Sequence, residues 1–169
     1  MKNIILIGFM GCGKTTLGIK LSYRLRRSLE DTDKLIEKKE GRTISEIFQT
    51  DGEAYFRTLE TECLEKMLKT TRHKIISTGG GLPLREENRV LLKELGTVVY
   101  LRATAQTIYE RVKHDKSRPL LQGEDPQEKI RTLMAQRSVL YEQAADVIID
   151  VDGKSFDAIL HEIGQAVNR

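Results

Sequence analysis

The chain is 169 residues long, a size that suits one domain and lets folding bury roughly two-thirds of the unfolded chain's surface. Lys and Arg number 28 against 25 Asp and Glu, a formal net charge of +3 with the signs interspersed and no long basic block, which speaks against a dedicated nucleic-acid binder. Charged residues make up 31% and aromatic ones 5%, and no apolar run nears the roughly 18 residues of a membrane span, which speaks against insertion into a bilayer.

No basic segment followed by a long apolar one opens the sequence, so no signal peptide is visible and the cytoplasm is the default compartment. The two cysteines, Cys12 and Cys63, have neither zinc nor disulfide spacing. A monomer is the default assembly.

In chain order, Asn3 to Ile7 reads as a buried strand and Lys14 to Arg27 as the helix after it. Between them, Gly8-Phe-Met-Gly11-Cys12-Gly13-Lys14-Thr15 fills every fixed position of the phosphate-loop pattern G-x-x-x-x-G-K-[ST]. In that context the glycines let successive N–H groups turn inward and the helix N-terminus meets an anion, so a nucleoside triphosphate is the expected ligand. Lys14 then reaches the β- and γ-phosphates, and the Thr15 hydroxyl suits a Mg²⁺ ion carried in with them. The competing reading is a chance glycine-rich turn. Cys12, between Gly11 and Gly13 at a site that attracts anions, is expected to be the more reactive cysteine unless its side chain turns into the protein.

A weak second strand is expected at Ser28 to Asp31, followed by a helix over Asp33 to Lys39. Asp31 and Asp33 end that strand, and alternation would point both carboxylates into a crevice beside the phosphate loop. One could hold the water shell of Mg²⁺ and the other accept a hydroxyl proton, while a helix N-cap is the plainer role for Asp33. Helices are expected over Ile44 to Gln49 and Gly52 to Lys69, the latter with Phe56, Leu59, Cys63 and Met67 as its core-facing stripe. On this helix Arg57 and Glu60 stand three residues apart, which lets the acid orient the guanidinium toward a carboxylate or phosphate, or simply makes a surface ion pair.

Lys74 to Ser77 reads as a third strand, and Gly79-Gly80-Gly81 follows directly as a turn of N–H donors at its carboxyl edge. A helix over Glu86 to Leu95, a strand at Val98 to Leu101 and a helix over Ala105 to Lys113 come next. The polar stretch from His114 to Pro126, with Arg118 inside it, reads as a mobile lid or as an ordinary surface loop. The long helix Pro126 to Ala145 turns Leu133, Leu140 and Ala144 inward and Arg137 toward the crevice or the solvent; a strand at Val147 to Val151 and a helix over Ser155 to Val167 close the pattern. Alternating strands and helices imply a parallel sheet between helical layers.

Taken in order, GFMGCGKTT, DTD, GEAYFRTLE, STGGG, RPLL and RSVLYEQA resemble the motif set of the shikimate kinase family across almost the whole chain. The resemblance implies a three-layer P-loop NTPase fold, with a five-stranded parallel sheet in the order 2-3-1-4-5, a core over about 1–112 and 126–169, a lid over about 113–125 and a substrate-binding region over about 33–60. It implies transfer of the γ-phosphoryl of ATP to the 3-hydroxyl of shikimate, with Mg²⁺ as cofactor and no nucleic-acid or membrane partner. Gly11, Cys12, Gly13, Lys14, Thr15 and Thr16 then form the nucleotide loop, and Lys14, Asp33 and Arg118 are the catalytic set, with Arg118 reaching the phosphates from the lid. Asp33, Arg57, Gly79, Gly80, Gly81 and Arg137 hold shikimate, the two arginines gripping its carboxylate, and Thr15 and Asp31 attend the metal. Cys12 and the Leu29-Glu30 pair depart from the usual family residues, and Asp152-Gly153-Lys154 leaves the adenine contacts open. A gluconate or nucleotide kinase of the same fold, or a nucleotide-binding module without turnover, are the competing functions. No D-G-F-P-R segment of the adenylate kinase type and no His-rich segment of the gluconate kinase type is present.

Overall fold

The computed structural model describes residues 2–115, 123 and 125–168. Arg118 and most of the stretch expected to act as a lid lie outside the described residues. Among those described, β1 (Asn3–Ile7), β2 (Leu29–Asp31), β3 (Ile75–Ser77), β4 (Gly96–Arg102) and β5 (Val147–Asp150) form one parallel sheet in the order β2-β3-β1-β4-β5, as the family resemblance implied. The continuous apolar run Ile-Ile-Leu-Ile makes β1 central, because a strand covered on both faces has no polar side to alternate with. The register sets Leu6 and Asp31 both level with Ser77, so β1, β2 and β3 deliver the phosphate loop, Asp31 and the glycine turn to one edge.

Helices α1 (Lys14–Leu25), α2 (Thr32–Glu40), α3 (Ile44–Asp51), α4 (Glu53–Thr70), α5 (Glu86–Leu95), α6 (Ala105–Val112), α7 (Pro126–Ala144) and α8 (Phe156–Val167) fall where periodicity put them, within a few residues. α1 stops two residues earlier than expected because Arg26 turns left-handed (φ 53°) and caps it. A 3₁₀ turn over Leu82–Leu84, which periodicity did not reveal, follows the glycines. On α7, Ile130, Arg137, Tyr141 and Ala144 are buried, whereas Leu140 stays half-exposed instead of packing inward.

Two hydrophobic clusters result. The main core covers both faces of the sheet, and a small second one of Ile36, Ile47, Phe56 and Leu59 joins α2, α3 and α4. The stripe expected on α4 is thereby split between them, with Phe56 and Leu59 in the small cluster and Met67 in the large one. At the opposite edge of the sheet from the glycine turn, the buried Asn3 side chain donates to Thr71 O (3.1 Å) and Leu95 O (2.9 Å) and accepts from Lys74 N (2.9 Å). That one amide satisfies three backbone groups where β1, β3 and β4 begin.

Candidate active site

A cleft of about 610 Å³ opens at the carboxyl edge of β1 to β3, lined by the phosphate loop on one side and by Asp31, Asp33, Thr78, Gly79 and Gly80 on the other. The loop depends on Gly11 (φ 77°) and Gly13 (φ 102°), whose left-handed backbone other residues rarely adopt. No side chain caps α1, and its first backbone bond runs from Leu17 N to Gly13 O at 2.8 Å. The N–H groups of Lys14, Thr15 and Thr16 are thus left for an anion at the positive end of the helix. Lys14 is folded over the loop and donates to Gly8 O (2.6 Å), Phe9 O (3.0 Å) and the Cys12 sulfur (3.7 Å).

Cys12 is the exception in this loop. Its N–H donates to Phe9 O at 3.2 Å and its side chain is fully buried, with the sulfur where a side chain on Gly8 would otherwise sit. The side chain has thus turned into the protein, the alternative placement that would set the expected reactivity aside. Cys63 is half-buried, and burial pushes its thiol up to about 11.

Asp31 and Asp33 share the cleft by a different route from strand alternation. The helix begins at Thr32, so Asp31 is the N-cap, accepting from Lys34 N at 3.2 Å, and Asp33 lies in the first turn of α2. Capping therefore falls to Asp31 and leaves Asp33 free. Its Oδ1 is buried without a hydrogen-bond partner, and burial first, then the nearby Asp31 charge, raise the Asp33 carboxyl to about 6.

Glu60 is the residue that sequence reasoning undervalued. It was expected to orient Arg57, and it does, at 2.7 Å, with Glu53 adding a second contact at 3.1 Å. Yet it is fully buried, its Oε2 has no partner, and burial raises it to about 7 against the opposing pull of Arg57. A side chain on Gly79 would meet Asp33 Oδ1 at 2.7 Å and Glu60 Oε2 at 3.2 Å, and one on Gly81 would strike the Arg57 guanidinium. The glycines are thus needed for the close approach of charged groups as well as for N–H donors. Gly79 N–H itself is taken by the Thr32 hydroxyl at 3.1 Å, while no protein acceptor for Gly80 or Gly81 N–H occurs among the described residues.

Arg137 is 6% exposed, with its guanidinium 5.8 Å over the Phe9 ring and Nη1 at 3.8 Å from a side-chain position on Gly80. The structure therefore gathers Lys14, Asp31, Asp33, Arg57, the glycine turn and Arg137 around one edge. Two further residues line the same cleft: Arg111, which donates to Gly11 O at 3.2 Å, and Phe156 at the start of α8. They are far apart in sequence and carry no motif, so only the fold reveals them.

Two acids raised in the folded state have a thermodynamic consequence. Between their ordinary values and about 6 to 7, the folded chain binds protons that the unfolded chain has released, so stability falls as pH rises through that window. The calorimetric melting temperature of the free protein is expected to decline from pH 5 to pH 8, and Asp33→Asn to flatten the decline. A wild-type profile as flat as the variant's would contradict this.

The oxygen set here also fits a hard cation. The Thr15 hydroxyl and the Asp31 and Asp33 carboxylates line one cleft, with a buried Asp33 oxygen lacking a partner, and Mg²⁺ typically takes one or two carboxylates while retaining water and phosphate oxygens.

The shikimate kinase family model matches residues 10–168. A shikimate kinase of Thermodesulfovibrio yellowstonii is 44% identical over 163 residues, 96% of this chain and 93% of that protein. One from Neisseria gonorrhoeae is 47% identical over 154 residues, 89% of this chain and 90% of the relative. Among solved structures, shikimate kinase from Acinetobacter baumannii in complex with shikimate superposes with a TM-score of 0.92 at 39% identity, covering 99% of this chain and 93% of that one.

Proposed function

This chain belongs to the shikimate kinase family, and from that premise we propose how its cleft transfers the γ-phosphoryl group of ATP to the 3-hydroxyl of shikimate, giving shikimate 3-phosphate and ADP. The reaction is a step of aromatic amino acid biosynthesis. The observation that carries the reading is one cleft with an uncapped helix N-terminus on one wall and an unpartnered, half-buried acid, Asp33, on the other. A phosphoryl donor and a hydroxyl acceptor are thereby offered binding groups side by side.

ATP is held by N–H groups of the loop from Gly11 to Thr16 other than that of Cys12, which is bonded to Phe9 O while its side chain is buried beneath as support. Lys14 exchanges its acceptors in the loop for phosphate oxygens, and the purine lies between Arg111 and Phe156, a guanidinium and a ring that can each stack on it. Thr15 and Asp31 would hold Mg²⁺, which when bound supplies positive charge to the phosphate oxygens. Asp33 receives the hydroxyl proton; a carboxyl raised to about 6 is a better base than an ordinary one and still largely ionised at neutral pH. Arg57, kept in orientation by Glu60 and Glu53, and Arg137 bind the shikimate carboxylate, and the N–H groups of Gly80 and Gly81 complete the site. Arg118, outside the described residues, is assigned to the phosphates from its place in the RPLL motif.

The second cluster of Ile36, Ile47, Phe56 and Leu59 supports treating the 33–60 region as a substrate-binding unit with its own packing. No helix among the described residues is long and apolar enough to cross a membrane, and a cytoplasmic monomer is part of the same proposal.

The test is an ADP-release assay with shikimate, gluconate and AMP offered in parallel. Release that depends on shikimate and Mg²⁺ is the expected result. Turnover with gluconate or AMP in its place would move the chain to another kinase activity of the same fold.

A further inference from the structure

Three consecutive glycines have no side chains with which to pack, so their peptide planes are set by hydrogen bonds alone. Gly79 is fixed by the Thr32 hydroxyl and by Leu82 N–H on its carbonyl (3.2 Å). The next peptide, Gly80 to Gly81, is fixed from α7: the Tyr141 hydroxyl donates to Gly80 O at 2.6 Å.

Tyr141 is 1% exposed, and its ring packs against Tyr100 at a centroid distance of 5.1 Å. Phenylalanine would fill that apolar place as well, so the buried hydroxyl calls for a role of its own. Arg137 lies one helical turn earlier on the same face. In a trans peptide the carbonyl and the following N–H point in opposite directions, and no cis peptide bond occurs among the described residues. Holding Gly80 O on Tyr141 thus turns Gly81 N–H away from α7.

We propose that Tyr141 is a positioning residue for the substrate, its hydroxyl holding the Gly80–Gly81 peptide in one orientation with Gly81 N–H turned away from α7. The inference rests on the reading of the cleft as a shikimate site. Without that bond the glycine peptide could flip; with it, the turn N–H meets the substrate already oriented.

Tyr141→Phe removes the hydroxyl and keeps the ring, and Tyr100→Phe removes a neighbouring buried hydroxyl without touching the turn. In Tyr141→Phe, calorimetric shikimate affinity should fall by roughly 3- to 10-fold, the worth of one ordinary hydrogen bond, with ATP affinity unchanged. In the ligand-free protein the carbonyl carbon resonance of Gly80 should shift, reporting loss of its donor. Tyr100→Phe should do neither, and melting curves of both variants check that they fold. Wild-type shikimate affinity in Tyr141→Phe, an unmoved Gly80 resonance, or an equal loss of ATP affinity would overturn the proposal. A wild-type protein that binds no shikimate would instead sink the functional reading, and the Gly80 resonance would then decide whether Tyr141 sets the turn.

Discussion

Asp33→Asn is expected to lower kcat for shikimate phosphorylation by about 100- to 10,000-fold, the range over which a positioned acid or base acts. The amide keeps the shape of the carboxyl and can still accept a hydrogen bond, so shikimate affinity should change less than kcat, and ATP affinity hardly at all. Two features make the site sensitive. Oδ1 is buried without a protein partner, hence open to a substrate donor, and the Asp33 carboxyl is raised to about 6, near the pH at which it must take a proton. The wild-type kcat/KM for shikimate should accordingly rise with pH through about 6 and level off, while that of the variant should lack that step. Steady-state kinetics from pH 5 to 8 provide the check, and an undiminished kcat would remove Asp33 from the mechanism.

Arg57→Ala should have the largest effect on binding and a large one on stability. The lost charge-assisted hydrogen bond to the substrate carboxylate is worth roughly 1.5 to 3 kcal/mol, or about 10- to 150-fold in affinity. The deletion also strips the partner from Glu60, which is fully buried, and breaking a buried pair in this way costs about 3 to 5 kcal/mol when the survivor stays charged. Glu60 is already raised to about 7, so without Arg57 it will take up a proton more readily. Protonation relieves the cost, and the stability deficit should therefore be smaller at pH 5 than at pH 8. Arg57→Lys should recover little affinity, because a point charge cannot span Glu60, Glu53 and the ligand as the planar fork does. Denaturant titrations at the two pH values and calorimetry with shikimate measure both parts.

What could be read without the structure was whatever is written contiguously. The phosphate loop, the Arg57–Glu60 spacing and the three glycines are local patterns whose chemistry follows from neighbours in the chain. The sheet order followed from the family resemblance, and even β2, whose Leu29 and Glu30 give little apolar signal, forms as expected between Ser28 and Asp31. The misreadings came from one-residue offsets and from burial. Starting α2 at Thr32 instead of Asp33 moves the cap to Asp31, which frees the other acid. Glu60 looked like a surface acid because what covers it, Asp33 at the start of α2 and the glycine turn after β3, comes from distant parts of the chain. Arg111 and Phe156 reach the cleft from α6 and α8, across a fold that no local pattern encodes.

The central position of β1 bears on how the chain is made. The phosphate loop is made before most of the framework that holds it, since β1 is flanked by β3 and β4 and its base is bound by the Asn3 amide to Thr71, Lys74 and Leu95. None of those partners has been synthesised when the loop emerges, and the strand that completes the pairing ends only at Arg102. The apolar β1 has neither neighbour until β3 is made, and its other side stays open until β4, with long-range parallel contacts still to close. Nascent chains cut short before β4 would therefore carry the entire nucleotide-binding motif without the framework that shapes it, and would depend on chaperones rather than on ATP to stay out of aggregates.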